Sequence, residues 1–162
     1  MQADGPAPLD ALRIFEELDR HGVEFVLVGG LAAQTHGNTR MTNDVDVIPA
    51  PEPKNLARLA DALRALEARV LNEGSEGLEI NASMLPRATI WQFATPHGDI
   101  DVLHEAPGAA PFPELRKRAL VIALGDTPIP VVGRDDLIRM KLARGRPIDR
   151  ADVAALTDPE AE

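Results

Sequence analysis

Residues Asn43-Asp44-Val45-Asp46-Val47-Ile48 alternate strictly between polar and apolar side chains. That is the period of a strand with one buried face and one polar face. Pro49, Pro51 and Pro53 end it,. A strand of this kind needs a sheet around it and something apolar beneath, and the neighbouring segments supply both. Pro8 to Arg20 carries Ala11, Leu12, Phe15 and Leu18 at helical spacing, with Gly22 placed to close the helix,. Glu24 to Val28 is a short buried-strand run that stops at Gly29-Gly30. Leu31 to His36 can form a short helix closed by Gly37. Lys54 to Arg69, with Leu56, Leu59, Ala60, Leu63 and Leu66, has the clearest amphipathic stripe in the chain,.

Further along, the pattern turns to hairpins. Val70-Leu71 can start a strand, and Glu73 to Gly77 reads as a loop. Thr89 to Thr95 and Asp99 to Leu103 flank the turn residues Pro96-His97-Gly98,. Pro107 to Pro113 reads as a linker. Ala119 to Leu124 and Ile129 to Val132 flank Gly125-Asp126-Thr127-Pro128 as a second hairpin. Arg134 to Arg144 is helical, and a last helix follows Gly145. The order predicts a single α/β (α+β) domain, a mixed sheet flanked by helices with helices at the C-terminus. The domain is expected over 1–162, with its core at about 8–156 and a frayed tail at 157–162,. A length of 162 residues suits one domain and a proper core,.

Composition narrows the classes. The chain has no cysteine, which excludes disulfides, zinc ribbons and thiol catalysis and suits a reducing interior,. The longest nearly unbroken apolar stretch, Phe25 to Ala33, is nine residues with two glycines, too short to cross a bilayer,. The start Met1-Gln2-Ala3-Asp4-Gly5-Pro6 lacks the features of a signal peptide,. A soluble cytoplasmic domain is expected. Seventeen basic against 26 acidic residues give −9, which argues against broad attraction to nucleic acid or anionic membrane,. Arg134 to Arg150 runs against that balance, with six basic and three acidic residues.

Asp44 and Asp46 stand at i and i+2, so a strand projects both carboxylates from one face, about 7 Å apart by Cα rise. Such a pair is either a solvated edge or a site for a hard divalent cation such as Mg²⁺. Asp99-Ile100-Asp101-Val102-Leu103 repeats the pattern. A sheet that joins the two strands would gather Asp44, Asp46 and Asp101 into a three-carboxylate cluster, with Asp99 assigned to the turn. Gly29-Gly30 at a strand end is either an ordinary turn or a place where an anion approaches backbone N–H groups closely. On the C-terminal helix, with Leu137 at 0°, Lys141 falls at about 40°, inside the stripe formed by Leu137, Ile138 and Met140. A lysine there needs an anionic partner, either a triphosphate or a core carboxylate. Arg40 contacts phosphate or acceptor, or is a surface residue. His21, His36, His97 and His104 have no mutual ligand spacing, and Trp91 and Phe93 read as core.

Taken in order, Val28-Gly29-Gly30-Leu31-Ala32-Ala33, His36-Gly37, Arg40-Met41-Thr42-Asn43-Asp44-Val45-Asp46 and Thr95-Pro96-His97-Gly98-Asp99-Ile100-Asp101 resemble the polymerase-beta-like nucleotidyltransferase superfamily. The tail, Asp136 to Pro147 with Asp149-Arg150-Ala151-Asp152, resembles its small bacterial subgroup related to AbiEii-type toxins. The resemblance spans about residues 20 to 156. It departs at Gly30, where the superfamily usually has serine.

The resemblance implies an enzyme that uses two Mg²⁺ ions to transfer a nucleoside monophosphate from an NTP to a hydroxyl, releasing pyrophosphate. Asp44 and Asp46 would hold both ions, and Asp101 would hold the catalytic one and help deprotonate the acceptor. Gly29, Gly30, Arg40, Thr42 and Lys141 would lie against the nucleotide. The acceptor would be RNA, such as tRNA, or protein, and the biology that of a toxin with a cognate antitoxin, with neither DNA nor membrane as partner. Two alternatives remain: a non-catalytic antitoxin or regulatory module of the same fold, and an aminoglycoside-type small-molecule enzyme. The second is disfavoured by the short chain after the last strand.

Overall fold

The computed structural model describes residues 7–38 and 41–157. Helix α1 (Ala11–Arg20) starts at Asp10, whose carboxylate accepts a hydrogen bond from the Arg13 N–H at 3.2 Å,. It buries Ile14, Phe15 and Leu18, while Leu12 of the expected stripe is exposed. The face is therefore rotated from the one read in the sequence. Glu17, also buried, is clamped by Arg13 and Arg20.

Strand β1 (Phe25–Val28) runs straight into α2 (Gly29–Thr35), so both glycines lie inside the first helical turn. Strand β2 (Asp44–Pro49) follows, then α3 (Pro53–Ala65) and a two-residue strand, β3 (Arg69–Val70). The third helix ends four residues sooner than its periodicity predicts. Glu67 takes a left-handed φ of 56°, which turns the chain back into the sheet with no glycine to announce it.

Strands β4 (Ile90–Thr95) and β5 (Gly98–Leu103) form the expected hairpin, with a turn of only Pro96 and His97. Asp99 is thus a strand residue, correcting its assignment to the turn. Residues 112–118, read as the end of a linker and a basic run, form α4 (Phe112–Arg118). Pro113 sits in its first turn, where its missing N–H costs nothing. Strands β6 (Leu120–Leu124) and β7 (Thr127–Val131) close on Gly125-Asp126, followed by α5 (Arg134–Arg144) and α6 (Pro147–Thr157).

The strands form one mixed sheet in the order β3-β4-β5-β2-β1-β7-β6. The pairs β2/β5 and β1/β7 are parallel, and the remaining pairs are antiparallel. The mixed α/β fold expected from the sequence is the fold observed. Val45, Val47, Ile100 and Val102 are completely buried beneath the sheet, together with Leu59 and Leu63 of α3. At about 25 cal/mol per Å² of apolar surface, this layer holds β2 and β5 in a fixed register. No helix among the described residues is long and apolar enough to cross a membrane.

Candidate active site

The register of β2 against β5 builds the site. Asp44 lies opposite Asp99 and Asp46 opposite Asp101. In both strands the residues between them point into the core, so all four carboxylates share the other face. Asp44, Asp46 and Asp101 come closest: each offers an oxygen within 4.8 Å of the other two. Asp99 stands one pair further along. Its Oδ1 is buried without a hydrogen-bond partner, and burial followed by the charge of Asp44 raises its pKa.

Without a cation this arrangement opposes itself. Burial, then the charges of Asp44 and Asp101, push the pKa of Asp46 up to about 8. Burial and Asp44 push Asp101 up to about 6. The Arg144 guanidinium opposes both shifts. Removing carboxylates from water and setting them side by side disfavours their charged forms, and a divalent cation restores them. Three hard oxygen donors at this spacing fit such an ion.

The turn after β1 is shaped around the cluster. Gly29 has a φ of 74°, and a Cβ there would lie 1.9 Å from Asp46 Oδ2. Only glycine lets the backbone pass this close to the carboxylate. At Gly30 a Cβ would lie 2.8 Å from Thr42 Oγ1. That hydroxyl fills the space above Gly30 and donates to Asp44 Oδ1 at 3.1 Å.

These residues line a cleft of about 520 Å³. Asp44, Asp46 and Asp101 form one wall, Gly29, Gly30 and Thr42 another, and Lys141 with Arg144 and Arg146 a third. Ile90, Leu103, Ala106 and Pro107 make an apolar side beyond Gln92, which pairs with Asp101 across β4 and β5. Lys141 is buried, as its place on the helix requires, and its ammonium lies 2.8 Å from Asp152 and 3.9 Å from Asp149. Of the two partners that the sequence leaves open, a core carboxylate is present. Asn38 donates to the other oxygen of Asp152 at 3.0 Å. Arg146 grips Asp149 through Nε and Nη2 at 2.6 and 3.0 Å. Gly145, left-handed at φ 66°, ends α5 between these cations,.

Of the residues singled out in the sequence, Asp44, Asp46, Asp101, Gly29, Gly30, Thr42 and Lys141 meet at this cleft. Arg40 lies outside the described residues. Arg144 and Arg146 were not anticipated. The signal for Arg144 was its place three residues after Lys141, on the same side of the helix. Trp91 and Phe93 are buried, and the Trp91 indole donates to the Leu85 carbonyl, so both belong to the core.

Comparison with solved structures places this architecture. A protein from Thermotoga maritima assigned as a nucleotidyltransferase superposes with a TM-score of 0.58 at 14% identity, over 87% of this chain and 85% of that one. The antibiotic-resistance factor ANT(2'')-Ia does so with a TM-score of 0.55 at 16% identity, over 93% and 83%. An antigenic nucleotidyltransferase-like protein from Paracoccidioides brasiliensis gives 0.54 at 13% identity, over 93% and 78%. The chain has the nucleotidyltransferase fold. No protein-family model matches the sequence, and no curated protein does.

Proposed function

We propose that this protein transfers a nucleoside monophosphate from an NTP to an acceptor hydroxyl, using divalent cations, Mg²⁺ in the simplest case. The observation that carries the proposal is the convergence of Asp44, Asp46 and Asp101 on one sheet face at the wall of the cleft. The raised pKa values of Asp46 and Asp101 and the glycine turn that makes room for Asp46 fit a bound cation. Asp44 and Asp46 would hold two ions between them, with Asp101 completing one of the two sites. Bound there, such ions supply positive charge to the reacting phosphate and to the leaving pyrophosphate.

The chain's own groups do the rest. Asp101, beside the open apolar side of the cleft, accepts the proton of the acceptor hydroxyl. The freed oxygen bonds to the α-phosphorus of the NTP, the bond from that phosphorus to the bridging oxygen breaks, and pyrophosphate leaves. Gly29 and Gly30 leave space for the phosphates, and Thr42 holds Asp44 in place. Arg144, exposed at the rim, faces the triphosphate, while Lys141 and Arg146 fix the turn that carries it. The intact carboxylates argue against a non-catalytic antitoxin or regulatory module.

The resemblance to AbiEii-type toxins favours RNA or protein as acceptor, in a toxin with a cognate antitoxin. One observation favours a small molecule. Among the described residues, the side of the cleft nearest Asp101, formed by Ile90, Gln92, Leu103, Ala106 and Pro107, has no basic side chain to meet an RNA backbone,. Chain length does not decide against this second reading, because the chain spans 83% of ANT(2'')-Ia, which has been seen with adenylyl-2''-tobramycin.

The test is to incubate the protein and Mg²⁺ with each α-labelled NTP and, in turn, total RNA, cell lysate or a panel of aminoglycosides. Label transferred to one acceptor class with release of pyrophosphate is expected. No transfer to any of them, from any NTP, would overturn the enzyme reading in favour of a binding module.

A further inference from the structure

The last strand of the sheet is apolar, exposed and unguarded. β6 reads Leu120-Val121-Ile122-Ala123-Leu124 and, among the described residues, has no strand on its outer side. Leu120 is 54% exposed, Val121 56% and Leu124 38%, while Ile122 packs partly against the core, so exposed apolar side chains stand on both faces of the strand. Free edges of this kind invite pairing, and proteins usually blunt them with charge, proline, a bulge or very short strands. The opposite edge follows that rule: β3 has two residues, and one of them is Arg69. β6 has five residues and none of these devices.

Its backbone presents a defined pattern. The two-residue turn at Gly125-Asp126, with Gly125 at φ 61°, closes on the pair Leu124 and Thr127. Such a turn makes its closing pair a hydrogen-bonded one, and hydrogen-bonded pairs then alternate along the ladder. Leu120, Ile122 and Leu124 therefore turn their N–H and C=O groups inward to β7. Val121 and Ala123 turn theirs outward. Opposite these two stand Pro130 and Pro128, so the only prolines of the hairpin strands lie where the β6 ladder does not need an N–H. The outer edge keeps all its donors.

We propose that β6 pairs antiparallel with β6 of a second copy of this chain, joining the two sheets about a two-fold axis at Ile122. The occupant must be an extended strand that is apolar on both faces, and β6 itself meets that requirement. Charge supports the choice. The basic run Arg116-Lys117-Arg118 precedes β6, and Asp126 follows it at the hairpin tip. Antiparallel pairing centred on Ile122 sets Leu120 against the partner's Leu124 and Val121 against the partner's Ala123. Arg116 and Lys117, near the end of α4, then lie at the same end of the paired strands as the partner's Asp126. A five-residue edge is small beside standard interfaces, so the association is concentration-dependent. This inference does not depend on the proposed reaction.

The test is sedimentation of the full chain from low micromolar to several hundred micromolar. The wild type should shift from monomer towards dimer over that range. Ala123→Pro removes an outward N–H and leaves the inward ladder intact, so it should stay folded by circular dichroism and remain monomeric. Val121→Lys, at an exposed position, should do the same by charge repulsion. In this cysteine-free chain, Ile122→Cys would face its own copy in a non-hydrogen-bonded pair, with Cα atoms about 4.5 Å apart, within reach of a disulfide. It should form a covalent dimer on mild oxidation, whereas Leu12→Cys, exposed on α1, should not. A wild type that stays monomeric at the highest concentration overturns the proposal, as it would if the edge served a foreign strand. So does a dimer indifferent to both edge substitutions.

Discussion

Asp46 of β2 lies directly opposite Asp101 of β5 in a parallel pairing, with Val45, Val47, Ile100 and Val102 locked in the core on either side. The packing beneath the sheet therefore sets the chemistry above it. Sliding β2 by a single residue would send Asp44 and Asp46 into the core and Val45 and Val47 into the cleft. The self-repulsion of the cluster is held in place by apolar burial, and the protein is poised for a cation.

The same register separates the two aspartates of β5. Asp101 belongs to the three-carboxylate cluster, and Asp99 stands one pair away with a buried, unpartnered oxygen. Asp101→Asn is expected to abolish nucleotidyl transfer while nucleotide binding persists. Asp99→Asn is expected to leave transfer within about threefold and stability unchanged or slightly higher, since a carboxylate with one oxygen buried beside Asp44 loses its charge,. Transfer rates and melting temperatures of both variants check this. The reverse ranking would contradict it.

Gly30 and Thr42 are sterically linked. A side chain at Gly30 meets Thr42 Oγ1 and Cβ within 3.0 Å, so Gly30→Ser is expected to displace Thr42 from Asp44 and weaken cation binding. Adding Thr42→Ala opens the space, and the double variant should regain stability relative to Gly30→Ser alone, a departure from additivity of about 0.5–3 kcal/mol. Denaturant melts of the four proteins measure it. Simple additivity would show that the two positions are independent.

In the proposed function, Lys141 and Arg144 of α5 have different roles. Lys141→Met removes the ammonium that lies 2.8 Å from the buried Asp152 carboxylate, which is expected to cost about 3 kcal/mol, a drop of roughly 6–12 °C in Tm at this chain length. The NTP affinity of the folded fraction should change little. Arg144→Ala should do the opposite, keeping Tm while weakening NTP binding about tenfold, the loss of one charge-assisted contact. Calorimetric titration and thermal melts on the same samples separate the two. A Lys141→Met variant with normal stability and lost affinity would return the phosphate role to Lys141.

The sequence made the sheet and most of the site legible because alternation and glycine position are local signals. Asp44 and Asp46 could be singled out from the period of their strand, and the burial of Lys141 from a helical wheel. Alternation allowed either Asp99 or Asp101, and the family resemblance favoured Asp101. The partner of Lys141 could not be singled out, since Asp152 comes from another helix and only packing brings it near. The fourth helix was hidden by Pro111 and Pro113, which read as a linker although a proline in the first turn is compatible with a helix. The end of α3 was hidden because the chain turns at Glu67, a residue type with no left-handed preference. The place of Asp99 depended on the length of the turn, which contracted to Pro96 and His97.

Asp136 ties two helices and should report on acid stability. Arg118 at the end of α4 donates to both its oxygens at 2.8 and 2.9 Å, and Arg139 adds a third contact. The hydrogen bonds from Arg118 lead in lowering its pKa below the usual carboxylate value. A folded pKa below the unfolded one, about 3.9, gives stability that is present above the unfolded value and lost as pH falls through the folded one. The wild type should therefore lose Tm more steeply than Asp136→Asn between about pH 5 and about pH 2, although it melts higher at neutral pH. Parallel Tm–pH curves would show that the clamp contributes nothing.

The proposed function requires that Asp44 and Asp46 hold the divalent cation on which nucleotide binding depends, with Asp101 completing the catalytic site. It is tested most directly by calorimetric titration of Mn²⁺ or Mg²⁺, in the presence of a non-hydrolysable NTP, into the wild type and into the Asp44→Asn, Asp46→Asn double variant. Saturable binding to the wild type and none to the folded double variant is expected. Undiminished binding to the double variant would contradict it.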